Sequence, residues 1–290
     1  MYSTQLYSPL RYPGGKVRFA PLIASLIRYN KLDGGQYLEP YAGGAGVALA
    51  LLVDQVVEKI HINDIDPAVA DFWRAATTQS EAMCKMVADE PVTMDAWHHW
   101  KSIMTGACEG TDLERGFATL FLNRTNRSGI LKAGVIGGKA QSGLYKIDAR
   151  FMRDELCARL ARIGNLRQSI IVYEEDAFGL LKRSPTFLPS RSLIYLDPPY
   201  YVKGSGLYRN FYGHDDHAQI AKLLKSSRFT RRWVVSYDDA PEIREMYGFA
   251  RSMSYGLNYT AQRRYVGSEV MFFSGNLLGP QSPERPALAA

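Results

Sequence analysis

The chain has 290 residues, with 35 Lys+Arg against 29 Asp+Glu for a formal net charge of +6. At roughly 100–200 residues per domain, this length fits one large domain or a core carrying an insert. A composition 46% apolar and 12% aromatic can fill a sizeable core and excludes wholesale disorder. The longest nearly apolar run, Tyr41 to Val53, contains three glycines and is far short of the roughly 20 residues a membrane helix needs. The first residues, Met1 to Leu10, lack the basic-then-apolar order of a secretory leader. The three cysteines, Cys84, Cys108 and Cys157, show no paired spacing, so neither a disulfide framework nor a zinc site is expected. A soluble intracellular protein is predicted.

In chain order, the first β-like run is Gln36 to Leu38, which enters Glu39-Pro40 and a glycine-rich turn. A helical run follows from Val47 to Val57, then a second strand from Lys59 to Ile62 ending at Asn63-Asp64. The interval from about Ala75 to Asn165 is too long for an ordinary crossover. Its first half has helical apolar spacing (Phe117, Leu120, Phe121), and its second half is rich in glycine. It reads as an inserted small domain with a flexible basic loop. A third strand, Ser169 to Val172, ends near Asp176, and a fourth, Ser192 to Leu196, runs directly into Asp197-Pro198-Pro199-Tyr200. A helical pattern from His217 to Leu224 precedes a fifth strand, Trp233 to Ser236. Strands alternating with helices predict parallel βαβ units in a doubly wound α/β sheet, whose ligands bind beyond the carboxyl ends of the strands. The predicted division is a discontinuous core of residues 1–75 and 166–278, an insert of residues 76–165 and a disordered Pro- and Ala-rich tail, 279–290.

Charge is unevenly placed. Gly116 to Ile147 carries Arg124, Arg127, Lys132, Lys139 and Lys146 with no acidic residue, and Phe249 to Ser268 carries Arg251, Arg263 and Arg264 with none. Basic side chains among Asn, Ser, Thr, Gln and Gly suit a phosphate backbone, which makes nucleic acid the expected partner.

Three segments carry chemistry. In Glu39-Pro40-Tyr41-Ala42-Gly43-Gly44-Ala45-Gly46 the glycines allow positive φ and close approach of a ligand to the backbone. Asp64 follows Gly46 by 18 residues, about where a Rossmann-type fold places the carboxylate that accepts ribose hydroxyls. A helix N-cap is the other reading of Asp64. In Asp197-Pro198-Pro199-Tyr200 the two prolines donate no hydrogen bond and fix φ, so a rigid turn presents a carboxylate and a carbonyl to one planar amino group. A neighbouring aromatic ring can then stack on the ring that bears this amino group. Trp97-His98-His99-Trp100 lacks a ligand pattern and is expected to pack in the insert. Pro13-Gly14-Gly15-Lys16 does not have P-loop spacing.

These segments, with Arg11-Tyr12-Pro13-Gly14-Gly15-Lys16, Phe121-Leu122-Asn123-Arg124, Val234-Val235-Ser236 and Glu269-Val270-Met271, resemble the Dam-like, α-group amino-methyltransferases that make N6-methyladenine in DNA. The resemblance covers about Ser8 to Ser274. It implies a Rossmann-like S-adenosylmethionine-dependent methyltransferase sheet, with the insert as a mainly helical target-recognition domain. It further implies that Tyr12 and Lys16 contact S-adenosylmethionine and that Glu39, Tyr41, Gly43 and Gly44 surround its methionine end. Asp64 would hold the ribose, Ile65 would pack on the adenine ring, and Asp176, Ala177 and Phe178 would flank that ring. Asp197 and the Pro198 carbonyl would orient the target amine, and Tyr200 would stack on the target base.

By the same resemblance Asn123, Arg124, Arg127, Ser128, Lys132 and Lys139, with Arg263 and Arg264, face DNA. Arg127 and Ser128 stand where relatives that methylate GATC carry Tyr and Asn, and Lys132 replaces an Arg, so the recognition sequence stays open. Arg127 or Lys132 reads a base edge or holds a phosphate. The activated methyl of S-adenosylmethionine requires no metal. The implied partner is double-stranded DNA, met by a monomer in the cytoplasm of a bacterial or phage-infected cell, with a cognate restriction endonuclease left open. The rival readings are an RNA adenine or protein glutamine methyltransferase, a nicotinamide oxidoreductase and a catalytically inactive DNA-binding module.

Overall fold

A computed structural model describes residues 7–12, 16–201, 212–259 and 265–279, with backbone alone for 256–259 and 265–268. Five parallel strands form the centre of the sheet: β1 (Gly35–Glu39), β2 (Val57–Asn63), β3 (Ile170–Tyr173), β4 (Ser192–Leu196) and β5 (Arg232–Asp238). An antiparallel pair, β6 (Arg251–Tyr259) and β7 (Tyr265–Phe273), completes the order β3-β2-β1-β4-β5-β7-β6. This is the α/β sheet expected from the alternation of strands and helices. The strand order reverses between β1 and β4, so a crevice opens beyond their carboxyl ends. Every residue of β4 is buried, as a central parallel strand covered on both faces requires.

The helices are α1 (Ala20–Tyr29), α2 (Gly46–Val53), α3 (Pro67–Thr78), α4 (Ser80–Asp89), α5 (Met94–Met104), α6 (Asp112–Thr125), α7 (Arg153–Asn165), α8 (Ala177–Phe187), α9 (His214–Lys225) and α10 (Pro241–Met246). Local chemistry explains several starts. Asp66 caps α3 by accepting from the Ala68 N–H at 3.1 Å, with Pro67 in the first turn. Thr111 and Glu114 form a reciprocal capping box on α6. The helix expected over Val47–Val57 ends at Val53, because Gln55 takes a positive φ of 55° and the chain turns into β2 at Val57.

Side chains alternate between two apolar clusters, one on each sheet face. Tyr37, Leu193, Tyr195 and Val234 belong to one, and Leu38, Ile194, Leu196 and Val235 to the other. The first cluster runs from Ile23 and Leu49 through Trp73 into Trp100, Phe117 and Phe121 of the insert. The insert therefore shares the interior of the core. Thr119 Oγ1 on α6 donates to the Ala68 carbonyl at 3.0 Å, and Arg115 pairs with Asp71 at 3.0 Å. Trp97 and Trp100 are buried and the two histidines between them are exposed. Apart from Gly279, the tail expected over 279–290 lies outside the described residues.

Candidate active site

A cavity of roughly 430 Å³ opens where β1, β2 and β4 end. Its floor is the turn between β1 and α2. Gly43 has φ +46°, and a Cβ there would stand 2.6 Å from the Tyr12 ring, so the turn can only lie against that ring as glycine. Tyr12, Gly44 and Lys16 wall the same cavity. Tyr41, also on the wall, donates its hydroxyl to Tyr212 at 3.3 Å.

Glu39 closes β1. Its Oε1 accepts both the Tyr37 hydroxyl and the Ala48 N–H, each at 3.0 Å, which ties the strand end to the first turn of α2. Burial pushes its carboxyl up to about 8, against the lowering effect of those two bonds. Asp64, just beyond β2, accepts the Gly43 N–H at 3.0 Å through Oδ2 and the Asp66 N–H at 2.9 Å through Oδ1. Asp66, not Asp64, is the helix cap, which leaves Asp64 bound to the glycine turn and facing the cavity. Burial raises the Asp64 carboxyl to about 6, opposed by the two backbone bonds. Each carboxylate oxygen has a second lone pair for a hydroxyl donor. Ile65 is 42% exposed on the cavity wall, an open apolar face.

Asp197 follows β4 and reaches the cavity, together with Pro199. Its Oδ1 accepts the Ser236 hydroxyl at 2.7 Å and lies 3.7 Å from the Lys16 ammonium. Ser236 in turn bonds the Tyr195 hydroxyl at 3.0 Å. Burial raises the Asp197 carboxyl, and Lys16 and Ser236 oppose that rise. The backbone N–H of Tyr201 donates to Asp238 at 2.8 Å, which fastens the far end of the proline turn to β5.

Several expected roles need correction. Tyr200, expected to stack on the base, is only 4% exposed and is not among the residues on the cavity wall; its hydroxyl donates to Glu269 at 2.8 Å and accepts from Lys16 at 2.9 Å. Pro198 is buried, and Pro199 is the proline on the cavity wall. Asp176 is the N-cap of α8, accepting the Gly179 N–H at 3.0 Å, and Phe178 packs on the second apolar cluster. Ala177 and Glu175 are the residues of that segment which wall the cavity.

Asn123, expected at the DNA, is instead buried, with its side chain bonded within the protein. Its amide donates to the carbonyls of Arg11 and Gly129, both at 2.8 Å, and accepts the Arg11 N–H at 2.7 Å. Arg124 is also buried, with Nε donating to the Pro9 carbonyl at 2.6 Å, although it touches the cavity. Burial, followed by repulsion from Arg159 and Arg11, lowers its pKa to about 10. Arg127, Ser128, Lys132 and Lys139 are exposed, and Ser128 lines the cavity. Arg263 and Arg264 lie outside the described residues. Sequence reasoning gave no role to Ser236, Tyr195, Tyr212 or Arg159. Ser236 and Glu269 lay in quoted segments, and their one signal was a polar residue inside an apolar strand.

The model of the D12 class N6 adenine-specific DNA methyltransferases matches residues 12–261. The Retron Ec67 DNA adenine methylase of Escherichia coli is 22% identical over 266 residues, covering 89% of this chain and 85% of that protein. Among solved structures, a Pyrococcus horikoshii protein described as an RNA methyltransferase is 9% identical with a TM-score of 0.43, covering 91% of this chain and 86% of its own. A SAM-dependent methyltransferase from Agrobacterium tumefaciens is 11% identical with a TM-score of 0.41, covering 89% of this chain and 61% of its own. With a glycine turn, an acidic residue beyond β2 and Asp197 and Pro199 all at one crevice, and with the family match spanning most of its length, the chain belongs to the D12 class of N6 adenine-specific DNA methyltransferases.

Proposed function

We propose that the cavity binds S-adenosylmethionine and an adenine turned out of duplex DNA, and that Asp197 orients the adenine amine for methyl transfer. One observation carries this reading: Asp197, Asp64 and the Tyr12-covered glycine turn wall a single cavity. The residues fit the donor. The turn admits no side chain at Gly43, Asp64 has lone pairs for two ribose hydroxyls, and Ile65 offers an apolar surface for a purine. When bound, S-adenosylmethionine supplies a methyl already activated by a sulfonium.

The exocyclic nitrogen of adenine is a poor nucleophile because its lone pair is delocalised into the ring. Asp197 accepts an N–H of the amine, which favours a more tetrahedral nitrogen with its lone pair freed from the ring. The carboxylate also stabilises the positive charge that develops on nitrogen. Ser236 fixes the Asp197 oxygen that faces it, so the acceptor is oriented before the base arrives. In duplex DNA the amine is paired, so the base has to be extruded to reach the cavity. The exposed cations Arg127, Lys132 and Lys139 of the insert supply the surface for the duplex, and the insert acts as the recognition unit. The enzyme acts as a monomer in the cytoplasm of a bacterial or phage-infected cell; a single asymmetric transfer needs no second copy.

The test is Asp197→Ala, assayed with tritiated donor. The variant is expected to keep its fold and its affinity for duplex DNA while losing incorporation; near-normal turnover would remove Asp197 from the mechanism.

A further inference from the structure

Glu269 on β7 is 0% exposed and collects polar groups from three other segments. Its Oε2 takes the Lys16 ammonium at 2.7 Å and the Tyr255 hydroxyl at 2.7 Å, and its Oε1 takes the Tyr200 hydroxyl at 2.8 Å. A carboxylate withdrawn this far from water survives only because it is paired and hydrogen-bonded. The chemistry of methyl transfer does not itself call for it. The same Lys16 ammonium stands 3.7 Å from Asp197 Oδ1, so one cation lies between two carboxylates and closer to Glu269.

We propose that Glu269 is a positioning residue that draws the Lys16 ammonium toward itself and keeps it from closing on Asp197, leaving that carboxylate open to the adenine amine. A carboxylate in full contact with an ammonium is a weaker acceptor. Without charge on Glu269, Asp197 is the acidic side chain still within ion-pair reach of Lys16 among the described residues. A small rotation of the lysine stem converts the loose contact into a tight pair. Glu269 also fastens Tyr200, at the end of the proline turn, to β7, and through Tyr255 to β6, so the turn and the lysine share one anchor. The inference rests on the assignment of Asp197 as the acceptor of the amine.

Glu269→Gln preserves shape and an acceptor for Tyr200 while removing the charge. It is expected to lower kcat about 30-fold, leaving the KM for duplex DNA and the dissociation constant of S-adenosylmethionine within about threefold. Lys16→Met/Glu269→Gln removes both charges, so at saturating donor its kcat is expected to be no lower than that of Glu269→Gln. A residue that only holds the fold gives neither result: its loss adds to that of Lys16→Met or appears in KM and thermal stability. A wild-type kcat in Glu269→Gln, or a double variant reduced by the product of the two single losses, overturns the proposal. If the single variant does not accumulate folded, Lys16→Met is compared with the double variant; a double variant slower than Lys16→Met overturns the proposal, and one at least as fast supports it. Wild type assayed alongside separates the two levels. No transfer to DNA by wild type removes both the functional reading and this one, whereas additive losses in an active enzyme remove only this one.

Discussion

Glu39→Gln is expected to stabilise the protein, and to do so only as pH rises. Both hydrogen bonds to Glu39 end on the same oxygen, Oε1, so the carbonyl oxygen of glutamine can accept from Tyr37 and Ala48 alike. What the substitution removes is the cost of ionising a buried acid. Burial holds the folded carboxyl at about 8 against an ordinary value of 4.5. Between those values the folded state keeps a proton that the unfolded chain has released, so stability falls as pH rises through this window. The penalty grows from under about 1 kcal/mol at pH 5 to roughly 4 kcal/mol at pH 8, at about 1.4 kcal/mol for each tenfold change in proton activity. Other titrating groups are common to both proteins and cancel in the difference. Urea unfolding of the donor-free proteins at pH 5 and pH 8 measures it. Near-equal stability at pH 5 with a clear advantage for Glu39→Gln at pH 8 is expected. An advantage that does not change with pH, or a variant less stable at pH 8, would refute the protonated, buried Glu39.

Three other expectations concern neighbouring residues. Ser236→Ala removes the 2.7 Å hydroxyl contact to Asp197. A hydrogen bond to a charged group is worth about 1.5–3 kcal/mol, so kcat should fall about 10- to 100-fold with little change in KM; steady-state kinetics showing only a KM effect would contradict the orienting role. Asn123→Ala leaves the carbonyls of Arg11 and Gly129 and the Arg11 N–H without their partner. It should destabilise the fold by roughly 3 kcal/mol, and a shift below about 1 kcal/mol in chemical denaturation would count against the buried anchor. Lys132→Ala should change which sequences receive methyl groups, as read by modification-sensitive sequencing, whereas a uniform loss at all sites would make Lys132 a phosphate contact.

The sheet was legible because parallel strands announce themselves as short apolar runs that end in loop chemistry. Ser192 to Leu196 matched β4 residue for residue, and the expected ends of the other four strands lie within two residues of those observed. The hairpin of β6 and β7 was missed. Ser252, Ser254 and Ser268 interrupt the apolar run, and antiparallel strands need no continuous hydrophobic stretch. In the site, Asp64 and Asp197 were placed from position alone, since they follow β2 and β4, the two strands that flank β1 beside the switch in strand order. Asn123 and Arg124 were placed at DNA by resemblance to a base-reading segment, which carries no information on burial, and the structure buries both. The helical stripe Phe117, Leu120, Phe121 continues at position 124, so α6 turns Arg124 inward, where backbone carbonyls and not water satisfy it. The Tyr200 hydroxyl is spent on Glu269, 69 residues further along the chain, a pairing that local sequence does not encode.

The central claim is that the carboxylate after β4 directs a methyl group onto an adenine amine. Its most direct measurement is nucleoside mass spectrometry of duplex DNA incubated with purified protein and S-adenosylmethionine. The account predicts N6-methyladenine, formed by wild type and absent with Asp197→Ala. DNA that stays unmodified under wild type, or a methyl group found on cytosine, would contradict it.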